Sequence, residues 1–334
     1  MRGRSSRGGI LRTTAPGTAL AFLAVSESVN LISPRGYCAG VDRAIETVDR
    51  LLEKRGAPVY VRGEIVHNQY VVKSLAEKGA VFVQTPEEVP EGSVIVLSAH
   101  GSAPDIYERC AARDLEVIDA TCPLVSKVHA EVRRYAGKGA TVLLVGHLDH
   151  DEVIGTRGEA PDRVIVVEDV AQAEVVEVPD PDNVALTTQT TLSLDDTAEI
   201  ITVLRRRFPA LQSPLSSDIC YATQNRQDAV KATVEQTEPE LVLVVGSQNS
   251  SNSRRLVEVA RAGGAESYLI DGVADLDPAW LDYHPRVALT AGASAPEVLV
   301  REVLDYLETR GYSRQGNEVP TDEGVVFALP PQVR

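Results

Sequence analysis

The stretch GYCAGVDRAIETVDRLLEKRGAPVYV, residues 36–61, decides the fold because two similar stretches follow it along the chain. They read ATCPLVSKVHAEVRRYAGKGATVLLV at residues 120–145 and DICYATQNRQDAVKATVEQTEPELVLVV at residues 218–245. Each carries a cysteine near its start, continues with the apolar spacing of an amphipathic helix, and ends in an apolar strand. The cysteine and the strand are 21 positions apart in the first stretch (38 to 59), 20 in the second (122 to 142) and 22 in the third (220 to 242). This near-equal spacing indicates an internal repeat of three units.

Polar loops follow the apolar strands at matching places in each unit. The first strands run into EIVHNQY, GHLDHDE and GSQNSSNS, and later strands end in SAHGSAP, TTQTTLS and TAGASAP. Apolar strands that alternate with helices predict parallel sheets covered by helices, and α/β proteins bind ligands in the loops at the carboxyl ends of such strands. We therefore predict an α/β fold of three similar domains, each of roughly 80–100 residues. Packing around a pseudo-threefold axis would bring the three cysteines together.

The repeat changes the domain count, because a length of 334 residues alone suggests about two domains. We expect α/β domains at residues 28–122, 123–216 and 217–304, followed by a C-terminal segment, 305–334. Residues 1–27 form an arginine-bearing extension whose short apolar stretch, 19–25, faintly resembles a signal or transit peptide. Because that stretch is at the short limit for such a peptide, we favour a disordered extension or a misplaced start codon.

Composition narrows the class of protein. Lys and Arg number 33 against 48 Asp and Glu, and the net charge of −15 argues against nucleic-acid binding on a basic face. Four cysteines in 334 residues exclude a disulfide scaffold, and none are spaced as a C-x-x-C zinc pair. No apolar run approaches the length of a membrane span, and we expect a cytoplasmic protein.

Three of the four cysteines occupy equivalent places in the repeat, namely Cys38, Cys122 and Cys220. Cys110 lies in a helix-like stretch outside this pattern and is interpreted as structural. A helix N-terminus stabilises a thiolate, which is the form that binds metals. Three thiolates without a fourth favour an iron–sulfur cluster that leaves one iron open to substrate. Zinc held by three cysteines and a water, or three cysteines buried in equivalent cores, are the alternatives.

The strand-end loops carry the other candidate site residues. Four histidines and several hydroxyl and amide side chains suggest an anion site suited to a diphosphate, and these are His67, His100, His147, His150, Ser250, Asn252 and Ser294. Motifs for nucleoside triphosphates and dinucleotides are absent from the sequence. Glu152 is a candidate proton donor beside an open metal, with an ordinary exposed acid as an equal alternative. Thr190 and Thr191 would relay a proton or hold a hydroxyl, although threonine is also common near strand ends.

On these residues the chain resembles the 4-hydroxy-3-methylbut-2-enyl diphosphate reductase family, the terminal enzymes of the non-mevalonate isoprenoid pathway. The matching stretches span about residues 28–330 and read, in order, PRGYCAGVDRAI, EIVHNQYVV, SAHG, DATCPLVSKVH, TQTTLS, DICYATQNRQ, VGSQNSSNS and TAGASAPE. The resemblance implies a trefoil of three α/β domains around a central 4Fe–4S cluster, with Cys38, Cys122 and Cys220 as its ligands. It also implies a ferredoxin or flavodoxin as electron donor. Because such donors are typically acidic, this chain would need a local basic patch, for which Arg133 and Arg134 are candidates.

The resemblance further implies that the C4 hydroxyl of the substrate binds the unique iron. Two electrons and two protons then remove it as water, giving isopentenyl and dimethylallyl diphosphate. Glu152 matches the family's proton-delivering glutamate and Thr190 the threonine near the hydroxyl. The diphosphate pocket is matched by His67, His100, His150, Ser250, Asn252 and Ser294, with Thr191 and Ser251 as neighbours.

Two positions depart from the family pattern. Asp151 stands where many members have proline, and Tyr37 stands where some have phenylalanine. An iron–sulfur dehydratase that uses the open iron without redox chemistry is an alternative function. A cluster-based sensor is another, and turnover measured with and without a reductant separates all three.

Overall fold

The computed structural model of the protein describes residues 27–214, 216–316 and 319–334. The prediction of a disordered N-terminal extension falls almost wholly outside these residues. In chain order the strands are β1 (Ser28–Leu31), β2 (Val59–Arg62), β3 (Ala80–Val83), β4 (Val94–Leu97), β5 (Glu116–Asp119), β6 (Thr141–Val145), β7 (Val164–Val167), β8 (Val184–Thr188), β9 (Leu241–Val245), β10 (Glu266–Ile270), β11 (Arg286–Ala291) and β12 (Ser313–Gly316). The α-helices are α1 (Ala39–Arg55), α2 (Gln69–Glu77), α3 (Pro104–Ala112), α4 (Pro123–Ala136), α5 (Asp151–Gly158), α6 (Val170–Val175), α7 (Leu194–Arg207), α8 (Tyr221–Thr237), α9 (Ser251–Ala262) and α10 (Glu297–Thr309).

The strands form three separate sheets, and every strand pair in them is parallel. The first sheet has the order β3-β2-β4-β5, the second β7-β6-β8, and the third β10-β9-β11-β1-β12. The interior strands β6 and β9 are buried at every position and apolar at all but Thr141, as expected where helices cover both faces of a parallel sheet. The α/β class and the three units predicted from the repeat are therefore confirmed.

The third sheet contains two strands that the predicted domain boundaries assigned to other segments. Those boundaries put residues 28–31 in the first domain and residues 313–316 in a separate C-terminal segment. Instead β1 pairs with β11, matching Ser28 to Arg286 and Leu31 to Leu289, and β12 pairs with the other edge of β1. Strand β1 thus covers an edge of β11 that would otherwise expose unpaired backbone groups, and β12 in turn covers the other edge of β1.

The three helices that begin at the repeated cysteines share one mode of packing. In α1 the buried apolar side chains Val41, Ala44, Val48 and Leu51 recur at helical spacing and face the first sheet. The helix is followed by Gly56 at φ 78°, a conformation that glycine adopts without steric penalty. Helix α4 likewise buries an apolar face, whereas α8 buries the polar side chains Thr223, Arg226 and Gln227 beside its apolar ones; all three helices are anchored along their length.

The end of the chain crosses from the third unit to the first. Glu323 accepts hydrogen bonds from Asn225 and Arg226 of α8, both at 2.8–2.9 Å. Further along, Val333 is fully buried in the core of the first unit, and Lys54 of α1 donates to the carbonyl of Arg334 at 2.7 Å. None of the described helices has the length and apolar character needed to cross a membrane.

Candidate active site

A single cavity collects the carboxyl-end loops of strands from all three units. It is lined by His67 after β2, His100 after β4, His150 and Glu152 after β6, Thr190 and Thr191 after β8, Ser250, Ser251 and Asn252 after β9, and Ser294 after β11. Cys38, Cys122 and Cys220 line the same cavity. The structure therefore brings together the predicted metal-binding, catalytic and substrate-binding residues. His147 lines a neighbouring cavity instead, and Cys110 is buried in the first unit.

The three cysteines meet because each is the N-cap residue of a helix that points at the cavity. Cys38 caps α1, Cys122 caps α4 and Cys220 caps α8. Close approach is possible because α1 has a glycine at its second position. A Cβ atom built on Gly40 would lie 2.7 Å from the Sγ of Cys122 and 3.9 Å from the Sγ of Cys38.

The electrostatics of the three thiols favour a bound cation. Burial, and then the charge of Cys38, raises the pKa of Cys122 to about 12 and that of Cys220 to about 11. Thr223 opposes this shift at Cys220 by donating its backbone N–H to the sulfur at 3.3 Å. Three buried thiolates side by side therefore need a positive partner, which a metal supplies.

The donor set fits an iron–sulfur cluster. Three converging sulfurs leave one metal position without a protein ligand, since the fourth cysteine of the chain lies in a separate hydrophobic core. The space beside Gly40, which a side chain would fill, lies between two of these sulfurs. Apolar side chains complete the wall and limit access of water, among them Val41, Val66, Leu124, Val125 and Phe327.

Glu152 is the buried acid of the site. It is only 2 % exposed, and its two carboxylate oxygens accept hydrogen bonds from Thr190, from the backbone N–H at 2.6 Å and from Oγ1 at 3.0 Å. Burial raises the pKa of Glu152 to about 7, although both bonds from Thr190 act in the opposite direction. Near neutral pH this carboxyl group can give up a proton and take one back.

The three histidines of the cavity pack ring against ring. His67 and His100 are stacked with their ring centroids 3.8 Å apart, and His150 meets both edge-on at 5.4 and 6.1 Å. Burial, and then the charge of His67, lowers the pKa of His150 to about 3 and lowers that of His100 well below its ordinary value. His100 and His150 are therefore neutral at physiological pH.

The hydrogen bonds made by the Nδ1 atoms determine whether the Nε2 atom of each ring donates or accepts a hydrogen bond in the cavity. Nδ1 of His150 accepts the backbone N–H of Glu152 at 3.1 Å, so neutral His150 carries its proton on Nε2. His67 has the opposite arrangement, since its Nδ1 lies 3.2 Å from a carboxylate oxygen of Glu64, which can only accept. The Nε2 of His67 therefore offers a lone pair when the ring is neutral and a donor when it is protonated.

The third unit contributes hydroxyl and amide groups at the start of α9. Asn252 donates through Nδ2 to the Oγ of Ser250 at 2.9 Å and accepts the backbone N–H of Ala293 at 2.7 Å. Ser294 donates to the carbonyl of His67 at 3.0 Å and so joins the third unit to the first. These groups, with the N-terminus of a twelve-residue helix, suit an anion.

Some residues that shape the site were not singled out from the sequence. Gln189 is fully buried, accepts the backbone N–H of His147 at 3.0 Å and donates to Thr191 at 2.8 Å. It lies within TQTTLS, so its position was visible in the motif but its burial was not. Phe327 reaches the cavity from the C-terminal segment, which carries no repeat that would indicate its destination.

Asp151 adds a negative charge beside His67, in the neighbouring cavity that also contains His147. It is the first residue of α5, and its carboxylate lies 3.8 Å from Nε2 of His67, a residue of another unit. The side chain is 52 % exposed. Its position places it next to the group that was predicted to bind diphosphate.

Comparisons with known proteins agree on one family. The model of the LytB protein family matches residues 29–308. A protein of Mycobacterium sp. (strain JLS), named 4-hydroxy-3-methylbut-2-enyl diphosphate reductase, is 58 % identical over 307 residues, which are 92 % of this chain and 92 % of the relative. A Mycobacterium tuberculosis protein named 4-hydroxy-3-methylbut-2-enyl diphosphate reductase 2 is 55 % identical over 325 residues, 96 % of each chain.

Two solved structures have a similar fold. The E-1-hydroxy-2-methyl-but-2-enyl-4-diphosphate reductase from Plasmodium falciparum superposes with a TM-score of 0.88 at 38 % identity, covering 92 % of this chain and 97 % of that one. The second is an (E)-4-hydroxy-3-methyl-but-2-enyl diphosphate reductase, described as the terminal enzyme of the non-mevalonate pathway. It superposes with a TM-score of 0.61 at 30 % identity, covering 85 % and 99 %.

Proposed function

The chain belongs to the LytB family, and from that premise we propose that it reduces 4-hydroxy-3-methylbut-2-enyl diphosphate to isopentenyl and dimethylallyl diphosphate. The reaction takes up two electrons and two protons and releases the hydroxyl group as water. One observation carries the proposal: three helix-capping cysteines, a buried acid and a set of anion-binding side chains line the same cavity. Such a cavity suits a substrate with a leaving hydroxyl at one end and a diphosphate at the other.

Cys38, Cys122 and Cys220 would hold a 4Fe–4S cluster. When bound, this group would supply the electrons and a Lewis-acidic iron for the reduction. The support is the donor set itself, with three buried thiols and space beside Gly40. The apolar wall of the cavity would keep water from competing for the open iron.

The diphosphate is held by the histidines and by the start of α9. Neutral His150 donates through Nε2, since its Nδ1 is occupied by the backbone of Glu152. His67 faces the anion through Nε2, because its Nδ1 is directed at Glu64. Ser250, Asn252 and Ser294 add neutral donors from the third unit, alongside Thr191 and Ser251.

Glu152 delivers the proton that converts the hydroxyl group into water. Its pKa of about 7 leaves a useful fraction of the acid form at neutral pH, and its oxygens already lie within hydrogen-bonding distance of Thr190. Thr190 orients this carboxyl group and, through its hydroxyl, can contact the substrate oxygen. A positioned acid of this kind contributes about 10²–10⁴-fold to a rate.

The electron donor is a small acidic protein of the ferredoxin or flavodoxin type, docking on cationic side chains. Arg133 and Arg134 are exposed in the last turn of α4, the helix that begins after Cys122. They lie about 17 Å along that helix from the cysteine. Arg133 is paired with Glu159 at 2.7 Å, so Arg134 carries more of the unbalanced charge.

Turnover by anaerobically purified protein tests this function. The protein is incubated with 4-hydroxy-3-methylbut-2-enyl diphosphate with and without a chemical reductant, and the products are separated. We expect both isoprenoid diphosphates to form only with reductant. Water loss without reductant would indicate a dehydratase, and substrate binding without turnover would indicate a sensor; either result would overturn the proposal.

A further inference from the structure

Each cysteine helix carries a cationic side chain soon after its cysteine. Arg43 follows Cys38 by five positions, Lys127 follows Cys122 by five, and Arg226 follows Cys220 by six. Each therefore lies between one and two turns into its helix. The family motifs contain these residues, but the proposed reaction gives them no role.

Each of the three side chains reaches the segment that leads to the next cysteine along the circle. Arg43 of the first unit donates to the carbonyls of Asp119 at 3.3 Å and Thr121 at 3.0 Å, just before Cys122. Lys127 of the second unit donates, just before Cys220, to the carbonyls of Ser216 at 3.1 Å and Ser217 at 3.0 Å and to the carboxylate of Asp218 at 3.1 Å.

Arg226 of the third unit closes the circle. It donates to the carbonyl of Gly36 at 2.8 Å and to that of Tyr37 at 3.4 Å, just before Cys38. Its side chain is almost completely buried, at 2 % exposure. Each cation therefore holds the loop that precedes the cysteine of the following unit, in the order first to second to third to first.

These contacts constrain the loops for two physical reasons. Carbonyl groups at loop positions have no sheet partner by default, and a charged donor forms a stronger hydrogen bond with them than a neutral one. Two of the cations also hold the C-terminal segment, since Arg43 donates to the carbonyl of Ala328 at 2.8 Å and Arg226 pairs with Glu323 at 2.9 Å. That segment carries Phe327 into the wall of the cavity.

We propose that Arg43, Lys127 and Arg226 form a cyclic clasp that positions the three cysteine loops for the cluster. The position of each cysteine then depends on a side chain of the preceding cysteine helix, which holds the segment that leads into it. The positive charges of the clasp would favour the more negative, reduced state of a cluster held by these cysteines. This role deepens the proposed function and rests on the cluster being bound by these cysteines.

The test compares neutral variants of the clasp with neutral variants of other cations on the same helices. The clasp variants are Arg43→Gln, Lys127→Gln and Arg226→Gln. The matched controls are Arg50→Gln on α1, Arg134→Gln on α4 and Lys231→Gln on α8; Arg50 and Lys231 pair with exposed acids, and Arg134 is itself exposed. For each holoenzyme, purified without oxygen, one measures iron and sulfide content, the rate of cluster loss to a chelator, and the reduction potential.

We expect the clasp variants to lose their cluster at least about tenfold faster than the controls, as outer partners of metal ligands do. Their remaining cluster should have a lower reduction potential, because a positive charge has been removed nearby. Arg43→Lys and Arg226→Lys should recover most of the potential, which separates an effect of charge from one of folding. The side chain of Lys127 is 30 % exposed, so Lys127→Gln is expected to fold and keeps the test open if Arg226→Gln does not.

Two results would overturn the proposed clasp, and both can be distinguished from a failure of the proposed function. Cluster loss and potential equal to those of the controls would show that the three cations do not position the cysteines. A lower melting temperature with an unchanged reduction potential would show that the three cations only stabilise the fold. Wild-type protein without iron and sulfide would instead refute the proposed cluster itself.

Discussion

Replacing Gly40 with alanine should expel the cluster while leaving the helix intact. The added Cβ would lie 2.7 Å from the Sγ of Cys122 and 3.4 Å from its Cβ. Ordinary carbon contacts lie at about 3.5–4.0 Å, so the sulfur must retreat by about 1 Å. Metal sites keep their ligand distances to within about 0.2 Å, and a shift of this size exceeds that tolerance several-fold.

The same substitution should stabilise helix α1, although it disrupts the metal site. Alanine is favoured over glycine in a helix by roughly 0.5–1 kcal/mol, so α1 should form at least as readily in the variant. The assay is iron and sulfide content, with visible absorbance, after anaerobic purification, alongside thermal unfolding monitored by circular dichroism. We expect a folded protein with well under half of the wild-type iron.

Gly272→Ala is a suitable control for this substitution. Gly272 has an extended backbone with φ 177°, and its Cβ would meet nothing closer than a Leu299 methyl carbon at 4.0 Å. This variant should retain the wild-type amount of iron. If Gly40→Ala also retained wild-type iron and absorbance, the cysteines would not converge as the structure has them.

Three further changes test other parts of the site. Activity that needs protonated Glu152 should fall as pH rises through about 7, the pKa of this carboxyl group. Thr190→Val removes a hydrogen bond that lowers this pKa and should move the fall in activity to higher pH, whereas Thr190→Ser should not. An unchanged pH–rate profile in Thr190→Val would refute this coupling. Asp151→Asn should lower the KM for the diphosphate by up to about fivefold, since Asp151 lies beside His67, which binds the diphosphate, and like charges about 4 Å apart in water repel by ~1 kcal/mol; the effect should shrink in high salt. A KM equal to that of Asp149→Asn, an exposed neighbour, would contradict it. Phe327→Ala should shorten the half-life of the visible absorbance in air, compared with Val326→Ala at a position that is 92 % exposed; equal half-lives would mean that Phe327 does not shield the cluster.

The repeat alone predicted that the cysteines and the strand-end loops of the three units would converge, because the geometry of a parallel sheet fixes the edge at which they lie. Helix N-termini and the loops after parallel strands lie on the same edge of each sheet, so residues in phase with the repeat share one edge. Cys38, Cys122 and Cys220 could therefore be separated from Cys110 by phase alone. Strands β1 and β12 were misassigned because they occur once, outside the repeat, and both partners of β1, β11 and β12, are more than 200 residues away from it.

The chemistry of individual side chains was less predictable, because it depends on burial. Position in the sequence left Glu152 evenly balanced between a proton donor and an ordinary exposed acid. Its pKa follows from complete burial and from its two bonds to Thr190, 38 residues further along the chain. The contact between Asp151 and His67 likewise crosses between units, so no local pattern could have indicated it.

Iron and sulfide analysis of cysteine variants tests the central claim most directly. Wild-type protein and the alanine variants of Cys38, Cys122, Cys220 and Cys110 are purified without oxygen and analysed side by side. We predict about four iron and four sulfide ions per wild-type chain, the same in Cys110→Ala, and severe loss in each of the other three. Full iron in any of those three variants, or zinc in place of iron in the wild type, would contradict the account.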